Sequence, residues 1–490
     1  MTILSAQATR RDAKPYFGRF SQIPSDTAIE TKGIPTLSTS LRRPLHTALI
    51  KICQADTLST VDMLPKLAKT IVHLGRLGMP SCLVVEPKED YAVSELSRPS
   101  NVASLREHVE YMVYRIVEAI DSKGGRAQPL IGDILTKTEP TPQIEAKEPS
   151  GIGEKLEQAI DDRSISLPTT SMNLLYRLLS RNTIPVIAPL AGGINPSISP
   201  ISGNTAIYRI CADVAKDPEF AQKLSIERII IIDSIGGLPA DERRGGSHLY
   251  INLQQEYNDM LEQMSANLLP SAEISLHSKT RLHLRNLVLV NMCLKLLSST
   301  SSALITTPRM AASQASQSAP QSLIHNLLTD KPLISPSLPR RRASTPISET
   351  TLLRLGLPVK VYTSMDEKKD NMPPLSFTRL VELIEDSFGR QLDVDRYRKR
   401  LENKTAAIII AGDYEGAAIV TKETLPGLKG WVPYLDKFAV SGKSQGSRGV
   451  ADIVFNVLTS VFPDDLIWRS RKTNPVNKWV KPQSPPTLFP

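Results

Sequence analysis

A small-residue loop between a strand and a helix is the segment of this 490-residue sequence best suited to chemistry. An apolar run at 432–440 predicts a strand, a loop rich in Ser, Gly and Lys follows it, and a helix is predicted at about 446–461. Backbone N–H groups of such a loop, at the positive end of a helix dipole, can bind a pyrophosphate. A strand-to-helix turn with only a structural role would show the same pattern, so both interpretations remain open.

Two arginines further along the chain are candidates for binding a carboxylate. Arg469 and Arg471 lie two residues apart at the end of a strand predicted over 465–470, so their guanidinium groups project from one face. Arginine binds carboxylates through paired, charge-assisted hydrogen bonds. Taken alone, however, the pair is more typical of solvent-exposed basic residues at a strand terminus.

The elements around these residues predict a mixed α+β sheet. Ser376 is predicted to cap a helix, whose apolar face would consist of Leu380, Leu383, Ile384 and Phe388. Apolar runs at 405–411 and 416–421, separated by a four-residue turn, predict a β-hairpin. The strand at 432–440 would then extend this sheet.

The first two thirds of the chain have a different pattern, in which short apolar runs alternate with amphipathic stretches. Strands are predicted at 47–53, 81–86, 184–188, 228–233 and 303–307, and helices near 61–77, 102–122, 204–224, 253–267 and 279–298. Such alternation is typical of a parallel sheet covered by helices on both faces. The polar, aromatic-free stretch 136–171 is predicted to be an inserted loop.

The chain is too long for one compact core and is predicted to form two domains. Low-complexity sequence at 311–322 and Pro/Ser/Arg-rich sequence at 332–351 indicate a linker, placed at 331–355. The predicted organisation is an N-terminal segment at 1–45, a first domain at 46–330, the linker, a second domain at 356–480 and a tail at 481–490.

Composition disfavours several functional classes. The 59 basic and 50 acidic residues give a net charge of +9, and no basic block is longer than Arg340–Arg342, so a nucleic-acid binder is not expected. There is no run of about 18 apolar residues, so no membrane span is expected. The four cysteines are scattered without metal-ligand spacing, which predicts a reducing compartment and no metal site.

Longer motifs resemble those of a known family. The stretches 434–440, 445–456 and 468–479 resemble the acetyltransferase domain of fungal mitochondrial N-acetylglutamate synthases, enzymes of arginine biosynthesis that belong to the GNAT superfamily. The stretches 8–14, 236–256 and 324–332 resemble the amino-acid-kinase-like domain of that family. The resemblance implies an α/β fold: an amino-acid-kinase-like parallel sheet sandwiched by helices, then an α+β GNAT-like acetyltransferase domain.

The resemblance also implies a function, namely acetyl transfer from acetyl-CoA to L-glutamate, and the residues that serve it. Glutamate would be bound by Lys437, Arg469, Arg471, Asn474 and Arg390. Coenzyme A would be bound by strand amides at Phe438, Ala439 and Val440 and by the loop Gln445, Gly446, Ser447, Arg448, Gly449 and Val450. No residue is assigned as the catalytic base, and no metal is expected.

Two positions depart from the family pattern. Arg448 stands where the superfamily loop usually has glycine, and Val480 stands where the family has a tyrosine that could protonate the leaving thiolate. The prolines at 482, 485 and 486 are incompatible with the strands that the family has there. The alternative to an active enzyme is therefore a catalytically impaired or inactive regulatory homologue.

The remaining expectations also come from the resemblance. It implies a location in the mitochondrial matrix, and the Arg- and Ser-containing N-terminus fits either a transit-peptide remnant or a frayed terminus. It implies L-arginine as an effector on the kinase-like domain, a homo-oligomer, and a complex with the acetylglutamate kinase of the pathway. Phosphoryl transfer is not expected, because no Gly-Gly phosphate loop follows Lys51.

Overall fold

The computed structural model describes residues 44–55, 58, 63–87, 99–132, 134–138, 151–193, 198–240, 246–268, 274–313, 322–330, 348–363, 374–402, 404–424, 430–444 and 449–469. The strands are β1 Leu45–Ile52, β2 Ser81–Val85, β3 Ala127–Leu130, β4 Leu135–Lys137, β5 Ile165–Ser166, β6 Ile184–Ile187, β7 Leu190–Gly192, β8 Ile198–Pro200, β9 Leu224–Ile232, β10 Tyr250–Asn252, β11 Ser302–Thr306, β12 Thr351–Arg354, β13 Val359–Tyr362, β14 Thr405–Ala411, β15 Gly416–Glu423, β16 Val432–Val440 and β17 Ile467–Trp468. The helices are α1 Met63–Arg76, α2 Pro99–Ser122, α3 Ile152–Ile160, α4 Thr169–Ser180, α5 Gly203–Lys216, α6 Pro218–Lys223, α7 Leu253–Ala266, α8 Ile274–Leu296, α9 Pro308–Ala312, α10 Ser322–Thr329, α11 Phe377–Phe388, α12 Val394–Glu402 and α13 Val450–Val461.

An eight-stranded sheet in the order β10-β12-β11-β9-β1-β2-β6-β3 forms the core of the first domain. All five strands predicted for this region lie in it, and they pair in parallel. Successive residues of β1 belong to different apolar clusters: Ile50 packs with α1 and α2, whereas Leu49 packs with α5 and α8. Helices therefore cover both faces of the sheet, which is why its strands are continuous apolar runs.

The stretch 136–171 differs from the predicted inserted loop. It contains α3 and β5, and β5 joins a small sheet in the order β5-β4-β7-β8. Ile160 and Ile165 are buried in the same apolar cluster as α5 and α8. These few aliphatic anchors were outweighed in the sequence by the charged residues around them.

The predicted linker 331–355 is wrong at its C-terminal end. Residues 351–354 form strand β12, which is fully buried between β10 and β11. Asp330, at the end of α10, holds this strand through a 3.1 Å ion pair with Arg354. The Ser302 hydroxyl of β11 donates to the same carboxylate at 2.7 Å. Residues 331–347 lie outside the described part of the chain.

A five-stranded sheet in the order β13-β14-β15-β16-β17 forms the second domain. The predicted hairpin is confirmed as β14 and β15, and Ser376 caps α11 by accepting the N–H of Arg379. On α11, Leu380, Leu383 and Ile384 are buried as predicted. Phe388 was predicted on the same face but is 52% exposed, and it is the last residue of the helix.

The two sheets are joined by only four residues, 355–358, between β12 and β13. The Asn252 side chain donates to the carbonyl of Leu357 at 2.8 Å, and the N–H of Val359 donates to Gln255 at 3.2 Å. Gly356 has φ +66°, and a Cβ there would lie 2.0 Å from Oδ1 of Asn252. Glycine is therefore required at this junction.

Candidate active site

The central feature of the second domain is a β-bulge in β16. In the antiparallel register with β15, Leu435 pairs with Val420 and Lys437 pairs with Ile419, which leaves Asp436 as an extra residue. In a regular strand, neighbouring side chains point to opposite faces. A bulge interrupts this alternation and changes the directions in which the neighbouring side chains point. Here Lys437 Nζ lies 3.3 Å from Oδ2 of Asp436, so the lysine and the carboxylate form one cluster.

Helix α12 supplies the partners of this cluster. The Tyr397 hydroxyl donates to Oδ2 of Asp436 at 2.9 Å, and its ring centroid is 4.7 Å from Lys437 Nζ. Arg400, one turn later, places Nη2 3.0 Å from Oδ1 of Asp436. Burial and the adjacent Asp436 raise the pKa of Tyr397 well above its usual value, so the phenol stays protonated and remains a donor.

The packing of α12 fixes the position of Tyr397. Tyr397 and Leu401 are the two buried residues of the helix, spaced four apart on one face. At its start, the carboxylate of Asp393 accepts the N–H of Arg396 at 3.1 Å. The outer face of this helix carries basic residues and faces solvent, so the buried tyrosine is its main contribution to the site.

Strands β16 and β17 pair over only two residues each, which leaves the edge of β16 open beyond Leu435 among the described residues. The parallel pairing covers Tyr434 with Ile467 and Leu435 with Trp468. Among the described residues, β17 has no pairing with β16 beyond Leu435. The N–H of Ser441 points to β15, where it donates to the carbonyl of Glu415, whereas the N–H of Val440 donates to the Ser387 hydroxyl.

Because N–H directions alternate along a strand, Phe438 shares the edge of Val440, and Ala439 is directed to β15. Of the three strand amides predicted to bind coenzyme A, the fold thus directs Phe438 and Val440 to the open edge. Ala439 instead contributes a fully buried side chain to the core.

The end of α11 borders the same edge. Besides the contact of Ser387 with Val440, the carboxylate of Asp386 accepts the N–H of Gly442 at 2.7 Å. The helix ends at Gly389 in the left-handed conformation, with φ +61°. Arg390 follows directly and is exposed, so it lies at the helix end that borders the strand.

Helix α13, which follows the small-residue loop, begins directly after Gly449. Gly449 has φ +64° and precedes the first turn of α13 without a side-chain cap, so first-turn N–H groups point outward. Val450 is buried against Gly416 of β15, where a Cβ would be only 2.5 Å from Val450 Cγ1. The loop residues Gln445, Gly446, Ser447 and Arg448 lie outside the described residues.

The structure describes only part of the predicted glutamate site. Arg469 is exposed and follows β17 directly, and continuing the parallel register places it level with Asp436, beside Lys437. The other predicted residues, Arg471 and Asn474, lie outside the described part of the chain, as does Val480. Lys437, Arg390 and Arg469 are therefore the residues of the predicted glutamate site that lie within the described part of the chain.

Sequence analysis missed Tyr397 and Arg400, and it gave Asp436 no role. Tyr397 and Leu401 do have the spacing of a helix face, but their short segment is dominated by charge. Nothing local to the sequence indicates a bulge at Asp436, because a bulge is a property of the pairing with β15.

In the described residues, no group of three or more His, Cys, Asp or Glu side chains could hold a metal ion. None of the described helices is long and apolar enough for a membrane span.

Comparison with known proteins identifies the family. The model of the N-acetyltransferase domain of N-acetylglutamate synthase matches residues 362–488. The mitochondrial amino-acid acetyltransferase of Schizosaccharomyces pombe is 35% identical, with 97% of this chain and 88% of that protein covered. The protein of that name from Yarrowia lipolytica is 31% identical, with 98% and 85% covered. The chain belongs to the mitochondrial amino-acid acetyltransferase family.

The acetyltransferase also resembles a solved structure. An N-acetylglutamate synthase from Neisseria gonorrhoeae, complexed with coenzyme A and N-acetyl-glutamate, has a TM-score of 0.48 at 14% identity, with 96% of this chain and 90% of that chain covered. The family membership stated above follows from the fungal relatives.

The eight-stranded sheet of the first domain contains a second polar cluster, at the carboxyl ends of β1, β2 and β9. The cluster lines a cavity, and its polar and charged members are Lys51, Glu86, Asn204, Asp233, Arg285 and Asn286. Lys51 Nζ lies 2.6 Å from Glu86, whose other oxygen accepts the N–H of Gly203 at the start of α5 at 3.0 Å. Burial opposes both charges, yet Glu86 and the nearby Cys53 raise the pKa of Lys51, and Lys51 with Arg285 lowers that of Glu86. The pair is therefore ionised.

Proposed function

We propose that this chain transfers the acetyl group of acetyl-CoA to the α-amino group of L-glutamate, forming N-acetyl-L-glutamate in the first step of arginine biosynthesis. The observation that supports the proposal is the bulge of β16, which brings the ammonium of Lys437 to the carboxylate of Asp436 in the strand whose edge β17 leaves open. This combination supplies a cation for a substrate carboxylate next to backbone donors for a thioester.

The residues at the open edge fit an acyl-coenzyme A molecule. Coenzyme A supplies the acetyl group as a thioester, which is activated for attack by an amine. The N–H groups of Phe438 and Val440 would hold and polarise the acyl carbonyl, and in related chemistry one such donor contributes about 2.7–4 kcal/mol. To do so, the N–H of Val440 would first have to give up its hydrogen bond to the Ser387 hydroxyl. The loop 445–450 and the start of α13 would hold the pyrophosphate.

Glutamate is a dicarboxylate, and the proposed site provides cations to match it. Lys437 and Arg469 lie on neighbouring strands, and Arg471, Asn474 and Arg390 would complete the site. Arginine binds carboxylates through two parallel hydrogen bonds, which orients the substrate as well as holding it. Orientation of the amine toward the acyl carbon is itself a large part of catalysis, because it replaces a bimolecular encounter.

The catalytic base is not assigned, and Val480 motivates a second candidate function. If a phenol is needed to protonate the leaving thiolate, a chain with valine there would act as a catalytically impaired or inactive regulatory homologue. General-acid assistance contributes about 10²- to 10⁴-fold in rate. The organisation of Lys437 by Asp436 and Tyr397 favours the enzyme.

Further parts of the proposal concern context. We place the protein in the mitochondrial matrix, in agreement with the names of its relatives. The kinase-like domain would act as a regulatory module that responds to L-arginine. The chain would form a homo-oligomer and associate with the acetylglutamate kinase of the pathway. The domain limits of 46–330 and 356–480 are retained, except that β12 is assigned to the first domain.

An assay of coenzyme A thiol release tests the function. The full-length protein should release thiol with acetyl-CoA and L-glutamate, and far less with L-glutamine, which lacks the second carboxylate. Lys437→Gln and Arg469→Ala should each raise the glutamate KM about 10-fold or more, as expected for loss of a charge-assisted bond, and leave the KM of acetyl-CoA unchanged. Lys422→Gln is the matched control, because Lys422 is an exposed lysine of the same sheet whose ammonium lies against the ring of Trp431.

Two other outcomes would separate the candidates. No thiol release by the natural chain, with activity gained in Val480→Tyr, would establish the impaired homologue. Equal losses of glutamate and coenzyme A affinity in the arginine variant would show that Arg469 supports the coenzyme or the fold, and the proposed substrate site would be wrong.

A further inference from the structure

Three side chains contact the carboxylate of Asp436, the extra residue of the β16 bulge. These are the Tyr397 hydroxyl at 2.9 Å, Arg400 at 3.0 Å and Lys437 at 3.3 Å. The side chain of Asp436 is only 10% exposed, and that of Lys437 is 23% exposed. A carboxylate this enclosed, with donors on both oxygens, is poorly placed to accept a proton from a substrate.

The cluster instead restrains the lysine. Lys437 has its ammonium against Asp436 on one side and against the ring of Tyr397 on the other, 4.7 Å from the centroid. A cation over an aromatic face is stabilised by the ring quadrupole. Arg400 pairs with both Asp436 and Glu423, and Lys404 also pairs with Glu423. Together with Lys437, these five ionised groups carry one net positive charge. The lysine is thus held in place and still able to attract an anion.

We propose that Asp436 and Tyr397 are positioning residues for substrate binding, which hold the Lys437 ammonium at the open edge of β16 before glutamate arrives. The inference rests on the proposed role of Lys437 in binding a glutamate carboxylate. Lysine is a flexible side chain, and immobilising it when a ligand binds opposes binding. A lysine already fixed by its neighbours avoids this loss, which corresponds to about 2- to 10-fold in affinity.

The bulge is what makes this arrangement possible. Without the extra residue, Asp436 and Lys437 would project from opposite faces of β16, and Tyr397 on α12 could contact only one of them. The sequence Asp-Lys in this strand therefore acts as one unit, in which the aspartate acts only through the lysine.

A double-mutant cycle with calorimetric readout tests this proposal. The Kd of L-glutamate is measured with saturating coenzyme A, so that the test does not depend on turnover, for the full-length protein and for Asp436→Asn, Lys437→Gln and the double variant. We expect Asp436→Asn to raise the glutamate Kd about 3- to 10-fold when Lys437 is present and to have no effect in the Lys437→Gln background. The Kd of coenzyme A should stay within twofold throughout.

Controls make the result specific. Asp413→Asn is the matched control, because Asp413 is an exposed ion-pair partner of Arg379 in the hairpin turn of the same domain. If Asp436→Asn fails to fold, Tyr397→Phe replaces it: this variant keeps the ring under the ammonium but loses the hydroxyl bound to Asp436. We expect a rise of about 2- to 3-fold in the glutamate Kd for Tyr397→Phe, and a larger one for Tyr397→Leu, which also loses the cation–π contact.

The outcomes are distinct. Additive effects of Asp436→Asn and Lys437→Gln would overturn the positioning role, because the aspartate would then act independently of the lysine. A parallel rise in the coenzyme A Kd would also overturn it, since it would indicate general damage to β16. If Lys437→Gln alone leaves the glutamate Kd unchanged, the proposed substrate site itself fails, and the positioning role fails with it.

Discussion

At the scale of single residues, Glu86 indicates that the first domain does not bind a phosphate group beside Lys51. A lysine beside the start of a helix is a favourable place for a phosphate group. In this chain the Glu86 carboxylate lies there, bound to Lys51 and to the N–H of Gly203. An incoming phosphate would have to displace a buried ion pair. This supports the expectation, drawn from the missing phosphate loop, that the domain does not transfer phosphoryl groups.

Glu227 predicts how stability depends on pH. It is the extra residue of a bulge in β9, opposite the step from Thr47 to Ala48 in β1. Burial would raise its pKa, but hydrogen bonds from His46 and Ser225, with the charge of Arg228, lower it to about 2 from the usual 4.5. A lowered pKa in the folded state stabilises the protein above pH 4.5, and this contribution is lost as the pH falls from 4.5 to 2.

Substitution of Glu227 should therefore weaken the dependence of the free energy of unfolding on pH in the acid range. In urea unfolding between pH 2.5 and 6, we expect Glu227→Gln to lose stability at pH 6, on the order of 3 kcal/mol, and to depend less on pH below 4.5 than the natural chain. Glu219→Gln serves as control, because Glu219 is a largely exposed carboxylate paired with Lys223. Profiles of the same slope for Glu227→Gln and the natural chain would contradict the prediction.

At the scale of elements, the contact between α13 and the hairpin depends on one glycine. A Cβ at Gly416 would lie 2.5 Å from Cγ1 of Val450 and 3.2 Å from Cγ2 of Val454. We expect Gly416→Ala to destabilise the second domain by about 1–3 kcal/mol through overpacking. Because α13 follows the loop that would bind the pyrophosphate, the KM of acetyl-CoA should also rise. Thermal unfolding and steady-state kinetics measure the two effects.

A second substitution isolates the cause. Val450→Ala removes the methyl group that the new Cβ would meet, so Gly416→Ala/Val450→Ala should regain part of the stability lost by Gly416→Ala alone. Gly151→Ala is the control for alanine itself, since a Cβ there has nothing within 4 Å. If the double variant is less stable than the sum of its single changes, steric conflict at this contact is not the cause.

The elements also show what the sequence could and could not predict. The strands β1, β2 and β9 were predictable because both faces of a parallel sheet are covered, and their runs of aliphatic residues are unbroken. Strand β12 was missed because it has only four residues and follows a segment rich in proline and serine. What identifies it as a strand is its pairing with β10 and β11 and the ion pair of Arg354 with Asp330. These partners are distant in sequence.

The candidate site was predictable to a similar degree. Lys437 and Arg469 were identified from motif resemblance, and the structure places them on neighbouring strands. The register that leaves Asp436 as the extra residue of a bulge, and the approach of Tyr397 from α12, are tertiary properties that no local pattern encodes. For the same reason, the choice between Phe438 and Ala439 as outward donors needed the pairing of β16 with β15.

At the scale of the whole molecule, the two domains are joined by a short connection and not by the long linker that the sequence predicts. Strand β12 belongs to the eight-stranded sheet, and β13 of the five-stranded sheet begins after only four residues. The junction is fixed by hydrogen bonds from Asn252 to Leu357 and from Val359 to Gln255. The segment 331–347 therefore precedes the last strand of the first domain rather than separating the two domains.

Limited proteolysis tests this connection. Trypsin is expected to cut in 331–347, where Arg340–Arg342 lie in proline- and serine-rich sequence. The two fragments should separate on a denaturing gel but elute together in native gel filtration, because β12 on the C-terminal fragment stays within the sheet of the N-terminal fragment. Arg354→Ala should promote dissociation, since it leaves the buried Asp330 with a weaker partner. Fragments of the natural chain that separate without denaturant would contradict this arrangement.

The position of β12 also constrains how the protein can be synthesised. Among the described strands, β10 pairs with β12 alone, so the edge of the first domain's sheet stays unfinished from the translation of Asn252 until that of Thr351. At about 5–20 residues per second, this interval lasts roughly 5–20 seconds. In the later part of that interval, after Thr306 has been translated, the nascent chain exposes the free side of β11 for roughly 2–9 seconds at the same rate. This is an apolar strand edge of the kind that chaperones protect and that other chains can pair with. Completion of the first domain is thus delayed until the ribosome has nearly reached the second.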